Sequence, residues 1–354
     1  MATTALILGC AGTELTQEEA AFFRDLDPWG LILFRRNCAD HDQISRLTSD
    51  FRTAVGRADA PVLVDQEGGR VQRLTAPHWP KYPAAQAFSR IAANDPLVGR
   101  EMARLGGRLL AHDLLDVGIT VDCAPVLDVP VAGAHDVIGD RAFATDPAAV
   151  AQFGRAMAEG LLAGGVLPVV KHIPGHGRAG ADSHFDLPVV TASREDLAAS
   201  DFLPFATLTD MPLAMTAHVV YTAVDPKSPA TTSRRVMRDI VRGAIGYDGL
   251  VMTDDLSMKA LAGSLAERAR ASYRAGCDVV LHCNGKLDEM RDIAGEARAL
   301  SGLAARRASA ALARIRHAPE PLDRAEALAR FTDVLARASA ASSTAFAADH
   351  ALSV

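Results

Sequence analysis

Short, nearly unbroken apolar runs recur along the chain: TALILG (4–9), GLILF (30–34), PVLVD (61–65), ITVDCAP (119–125), VLPVVKH (166–172), LAMTAH (213–218), LVMTD (250–254) and DVVLHC (278–283). Each is followed by a polar or glycine-containing patch and then by a stretch of helical period. Apolar runs without polar alternation are what parallel strands covered on both faces require. Helices are predicted at TQEEAAFFRDL, with Thr16 as N-cap and Glu19 completing a capping box, and at DPLVGREMARLGGRLLAHDLLDVG, ending at Gly118. DPAAVAQFGRAMAEGLLAGG, SREDLAASDFLPFATL, TSRRVMRDIVRGAIG and LAERARASYRAG follow the same logic. Eight strands alternating with helices predict an α/β fold, a single-domain (β/α)8 TIM-type barrel over residues 1–335. An open doubly wound sheet competes with it, but no GxGxxG follows the first run. The alanine-rich stretch LDRAEALARFTDVLARASA predicts terminal helices packed on the barrel. Residues 336–354 are expected to form a C-terminal tail with a poorly ordered end.

Composition narrows the function classes. The chain has 354 residues, a formal net charge of −6 and 49% hydrophobic residues, enough for one large core. A mildly acidic chain without a basic stripe is a poor partner for nucleic acid. No apolar run approaches the roughly 20 residues of a membrane span. ALILGCAG superficially resembles a lipoprotein cleavage site before Cys10, but its apolar run is short and no basic residues precede it, so it reads as the first strand. Five scattered cysteines without a CxxC point to reduced thiols and a cytoplasmic setting.

Active sites of such barrels lie at the C-terminal ends of the strands. Those ends carry FRRN, Asp65 followed by QEGGR, APVLDV with a long connection through HDVIGDRAF, Lys171 and His172, His218, Asp254 with Asp255, and His282. So many ionisable groups at strand ends describe a polar mouth. An Asp after a strand also serves as a helix N-cap, which competes for Asp254 and more strongly for Asp255. His218 and His282 also fit as structural histidines.

The fifth run opens into KHIPGHGRAGADSHFDLP, Lys171 to Pro188, about twenty residues without helix or strand period before the N-cap Ser193. Loops that long inside a compact domain are usually functional. Three chemistries compete for it. A metal site would draw on His172, His176, Asp182 and His184, although Pro174 and the glycines disfavour the helix that an H-x3-H spacing needs, and no HExxH is present. Phosphate binding by glycine amides lacks a Walker A sequence. An acid/base pair is offered by Asp182 and His184: a carboxylate fixes the imidazole tautomer, and a histidine titrating near neutrality both gives and takes a proton. Asp254, across the barrel mouth, is then the candidate nucleophile.

This loop, together with VDQEGGRVQRL, VIGDRAF and GLVMTDDLSM, resembles the bacterial β-N-acetylglucosaminidases of glycoside hydrolase family 3, enzymes of cell-wall recycling. The resemblance covers roughly residues 5 to 315. It implies a retaining, two-step hydrolase without cofactor or metal, with Asp254 as nucleophile, His184 as general acid/base and Asp182 as its dyad partner. It assigns Asp65, Arg73, Arg141, Lys171 and His172 to the N-acetylglucosamine ring, with the three cations also expected to keep Asp254 ionised. It implies a muropeptide substrate such as GlcNAc-1,6-anhydro-MurNAc, with or without peptide, a link to cell shape and division, and a monomer with no nucleic-acid or membrane partner. Mobility between Gly175 and Ser183 is expected to bring His184 to the substrate. Ile173 and Thr253 depart mildly from the family pattern, where Phe and Ser are common. Three alternatives stay open: a metal-dependent hydrolase built on His172, His176 and His184, a non-catalytic sugar-binding barrel, and a phosphorolytic variant of the same glycosidase.

Overall fold

The computed structural model describes residues 3–183 and 186–351, with side chains through Ala340. Eight parallel strands form the inner layer: β1 Thr4–Leu8, β2 Pro28–Leu33, β3 Val62–Val64, β4 Val121–Asp122, β5 Leu167–Ile173, β6 Leu213–Thr216, β7 Leu250–Met252 and β8 Val280–His282. Each pairs with its neighbour in chain order, and β1 pairs with β8 through Leu6 opposite Val280. The ring closes between β7 and β8, where Met252 bridges Val279 and the Thr253 amide donates to the Val279 carbonyl at 3.1 Å. This is the predicted (β/α)8 barrel. All eight strands are buried apart from the first residue of β1, as their unbroken apolar character demands.

Local signals account for the helices around the barrel. Thr16 caps Gln17–Leu26 with the capping box closed by Glu19. Asp95 and Asp146 cap Pro96–Asp116 and Pro147–Ala163, each with proline at the first turn. These two helices approach backbone to backbone: a Cβ on Gly107 would lie 2.2 Å from the Met157 carbonyl oxygen, and one on Gly160 would lie 2.1 Å from that of Arg104.

Some boundaries differ from expectation. β4 is only two residues long because Pro125 has no N–H for a regular ladder, although the Ala124 and Pro125 carbonyls still accept from Val169 and Lys171 of β5. Val236–Ala244 is wound as a π-helix. The long loop after β5 gains order at Val189–Val190, which pairs in parallel with Val220–Tyr221. Helix Arg324–Ala351 runs through position 335 without a break, and its Phe331 packs against Phe88 and Tyr82. Among the described residues no helix is long and apolar enough to cross a membrane. All five cysteines are free and buried.

Candidate active site

A cavity of about 340 Å³ opens at the C-terminal ends of the strands. Asp65, Arg73, Arg141, Lys171, His172, Asp182 and Asp254 all line it. Seven of the eight expected site residues are therefore brought together from five separate stretches of chain. His184 lies outside the described residues.

The hairpin after β3 sets the acidic side of the cavity. Gln66–Gly68 pairs with Val71–Gln72. The side-chain oxygen of Gln66 accepts from the amides of Arg73 and Leu74 at 2.8 and 3.0 Å, and the Gln66 backbone N–H donates to Asp122. Gly68 turns with φ +97°, and a Cβ there would lie 2.2 Å from the Pro83 carbonyl oxygen, so the turn requires glycine.

Asp65 and Glu67 thereby face the same cluster of cations. Lys171 Nζ lies 2.9 Å from Asp65 Oδ1 and 2.7 Å from Glu67 Oε1. Arg73 reaches Asp65 Oδ2 at 3.1 Å. Arg141 grips Glu67 in bidentate fashion, Nε to Oε2 at 2.8 Å and Nη2 to Oε1 at 2.7 Å. Burial opposes the charge on these carboxylates, but the cations outweigh it: Arg141 and then Lys171 hold Glu67 at about 2, and Lys171 and Arg73 hold Asp65 well below its ordinary value. Burial likewise opposes the charge on Lys171, yet Asp65 and Glu67 raise its pKa above normal, so the ammonium persists.

The basic side is organised by a third carboxylate. Asp128, fully buried beyond β4, contacts His172 Nδ1 at 2.7 Å and accepts from the amides of His172 and His176 at 3.2 and 2.7 Å. A carboxylate at Nδ1 fixes a proton there and orients the ring, with Nε2 on the side away from Asp128. Despite burial, His172 and these hydrogen bonds hold Asp128 at about 2. His176 is buried against Ser183, with 3.3 Å between Nε2 and Oγ, and burial lowers its pKa to about 4.

Asp254, one residue past the β7–β8 junction, faces this wall. Its Oδ1 accepts the Asp255 amide at 2.8 Å. Burial disfavours its charge, yet His218, His172, the Asp255 amide and finally Lys171 keep its pKa below the ordinary value. Asp254 is thus ionised, but chiefly through imidazoles and a backbone amide rather than the three expected cations. Arg73 and Arg141 are instead paired with Asp65 and Glu67.

Asp255 caps no helix, since the next one begins at Leu265 behind Ser264; its carboxylate instead accepts from the amides of Ser257 and Cys283 and braces the turn. His218 is structural, spanning Thr231 Oγ1 at 2.7 Å and the Asp255 carbonyl at 3.0 Å. His282 is fully buried between Asp255 and Glu289.

The first half of the histidine loop is pinned. Arg178 Nε donates to buried Asp201 at 2.6 Å, Tyr221 donates to the Gly175 carbonyl, and the His135 amide donates to the Ala179 carbonyl. These contacts tie Gly175, Arg178 and Ala179 to neighbouring segments in this structure. Ser183 itself is tied by its carbonyl to the Ala260 amide. Among the described residues no group of three or more His, Cys, Asp or Glu is arranged to hold a metal ion, and His184, which the metal alternative uses, is not among them.

Two residues of this site were not singled out in the sequence. Glu67 stands two positions after Asp65, the spacing that puts side chains on one face of an extended segment. Asp128 lies three residues past the fourth apolar run, in the APVLDV stretch. Both signals were legible.

Residues 7–318 match the glycosyl hydrolase family 3 N-terminal domain. The chain belongs to glycosyl hydrolase family 3. It is 41% identical over 285 residues to a β-hexosaminidase of Bordetella avium, covering 79% of this chain and 80% of that one. The fold superposes with a TM-score of 0.81 on NagZ from Neisseria gonorrhoeae in complex with N-trifluoroacetyl-D-glucosamine, at 33% identity, covering 95% and 97% of the two chains. A family 3 β-N-acetylglucosaminidase from Paenibacillus gives the same TM-score at 28% identity, over 95% of this chain and 66% of that one. This family 3 member is accordingly a glycoside hydrolase of β-hexosaminidase type.

Proposed function

We propose that this family 3 enzyme is a retaining, metal-independent β-N-acetylglucosaminidase. Its substrates are peptidoglycan fragments ending in non-reducing N-acetylglucosamine, such as GlcNAc-1,6-anhydro-MurNAc with or without peptide. The observation that carries the reading is Asp254: a carboxylate kept ionised although buried, in a cavity it shares with Asp182 and with the Asp65, Arg73, Arg141, Lys171 and His172 wall. A non-catalytic sugar-binding site has no need of a nucleophile. The sugar-like ligand named for the Neisseria neighbour supports the substrate class.

In this mechanism the ring hydroxyls and acetamido group are held by Asp65, Arg73, Arg141, Lys171 and His172. Asp254 attacks the anomeric carbon. The bond to the leaving oxygen breaks as His184, oriented by Asp182, donates its proton to that oxygen. A glycosyl ester on Asp254 results. Water then attacks the same carbon, His184 takes the water proton, and the ester bond breaks to release the sugar with retained configuration. Five free, buried cysteines fit a cytoplasmic enzyme.

The test is p-nitrophenol release from the β-N-acetylglucosaminide by wild type and Asp254→Ala, with and without EDTA. Wild-type activity that survives EDTA and falls by on the order of 10⁴-fold or more in the variant is expected. Activity lost to the chelator, or kept by the variant, would overturn the reading.

A further inference from the structure

We propose that Glu67 is a positioning residue for the sugar-binding cations, acting through Arg141 and Lys171. The proposal rests on the glycosidase reading above and adds to it a residue with no assigned role.

Glu67 joins three elements through one side chain: the hairpin after β3, the connection after β4 that carries Arg141, and β5, which carries Lys171. Both its oxygens are committed, Oε2 to Arg141 Nε and Oε1 to Arg141 Nη2 and Lys171 Nζ. A guanidinium held by two parallel bonds cannot rotate about its long axis without breaking both. Arg141 Nη1 contacts the Val137 carbonyl at 3.3 Å and lies on the side of the guanidinium that Glu67 leaves open. Lys171 has three N–H donors. Asp65 and Glu67 take two of them, which leaves the third for a ligand in the cavity that all three residues line.

A stability role alone does not account for this arrangement. Buried ion pairs repay their desolvation poorly, and apolar side chains of the same volume would serve the core as well or better. Charge is kept where something polar must be met. Glu67 also sets the balance of the wall. Three cations, Arg73, Arg141 and Lys171, face two carboxylates, Asp65 and Glu67. The wall thus retains directional donors with a net charge of only one, which suits a neutral sugar.

The experiment measures KM and kcat on the p-nitrophenyl β-N-acetylglucosaminide, and the inhibition constant of free N-acetylglucosamine. The variants are Glu67→Gln, Arg141→Ala, the double variant, Glu67→Asp and Asp254→Ala. Glu67→Gln is expected to raise KM and the inhibition constant together, by roughly 10- to 100-fold, with a smaller change in kcat. The double variant should lose far less than the product of the two single losses, because Glu67 acts largely through Arg141. Glu67→Asp keeps the buried charge and hence the fold. It draws the acceptors back by one methylene, and a smaller loss confined to the same two constants is expected; this variant decides the matter if Glu67→Gln does not fold. Wild-type KM and inhibition constant in Glu67→Asp, or single losses that multiply in the double variant, would overturn the proposal. If Asp254→Ala stays active, the glycosidase reading fails. If Asp254→Ala is inactive while the Glu67 variants bind sugar like wild type, only the role of Glu67 fails.

Discussion

His172 and Asp128, 44 residues apart in sequence, meet at 2.7 Å between Nδ1 and Oδ2 in the buried floor of the cavity. The same carboxylate holds the amides of His172 and His176, so one side chain fixes both a ring and the start of the histidine loop. Asp128→Ala leaves three buried donors without their acceptor. It is expected to lower unfolding free energy by on the order of 3 kcal/mol and kcat/KM by roughly 10- to 100-fold. Asp128→Asn keeps one acceptor oxygen and should fall between. Urea unfolding and steady-state kinetics on the same preparations check this; an Asp128→Ala protein with wild-type midpoint and activity would refute it.

Two glycines in the histidine loop make a matched pair. A Cβ on Gly177 would lie 2.0 Å from the Val129 carbonyl oxygen, which is backbone and cannot move aside cheaply. A Cβ on Gly180 would meet nothing within 4 Å. Gly177→Ala should therefore cost about 1–3 kcal/mol and displace the loop, with a large loss of activity. Gly180→Ala should leave stability within about 0.5 kcal/mol of wild type. Thermal melts and p-nitrophenol release separate the two, and equal behaviour would mean the loop does not pack against Val129 in solution.

The eight strands were legible because parallel strands covered on both faces leave runs of Val, Ile and Leu that no other element needs. The ring of charged strand ends was legible for the opposite reason: a core has no use for Asp65, Lys171 or Asp254. What spacing does not carry is partnership. The two-residue offset from Asp65 put Glu67 on the right face, but its partner Arg141 lies 74 residues on. In the sequence His218 is one more ionisable strand end that also fits a structural histidine, and only the fold supplies Thr231 and the Asp255 carbonyl that satisfy it. The end of β4 blurred because proline stops the ladder while neighbouring carbonyls go on accepting.

Arg178 and Asp201 form the tether of the loop's first half, with Asp201 fully buried. Arg178→Ala strands that carboxylate; burial already raises its pKa even with the guanidinium present. The variant should lose on the order of 2 kcal/mol of unfolding free energy, read by urea unfolding. If the tether also serves the proton donor on the same loop, loss of kcat/KM grows with leaving-group pKa: small for p-nitrophenol, larger for a sugar alcohol. A loss independent of leaving group would confine Arg178 to stability.

Buried imidazoles make stability depend on pH in a definite direction. Burial lowers His176 to about 4, against an unfolded value near 6.5. Between those values the unfolded chain binds the proton and the folded chain does not. The contribution is therefore fully present above the unfolded value and is lost as pH falls toward the folded one. From pH 7 to pH 5 His176 alone should remove about 2 kcal/mol of unfolding free energy. Burial shifts His218 and His282 the same way, whereas buried Asp122, raised well above its ordinary value, works in the opposite sense. These other groups cancel when wild type is compared with His176→Gln. Urea unfolding of both proteins at pH 7 and pH 5 should show wild type losing about 2 kcal/mol more than the variant. Parallel losses would mean that His176 is not buried as a neutral ring, and with it that the floor beneath the histidine loop is open to water.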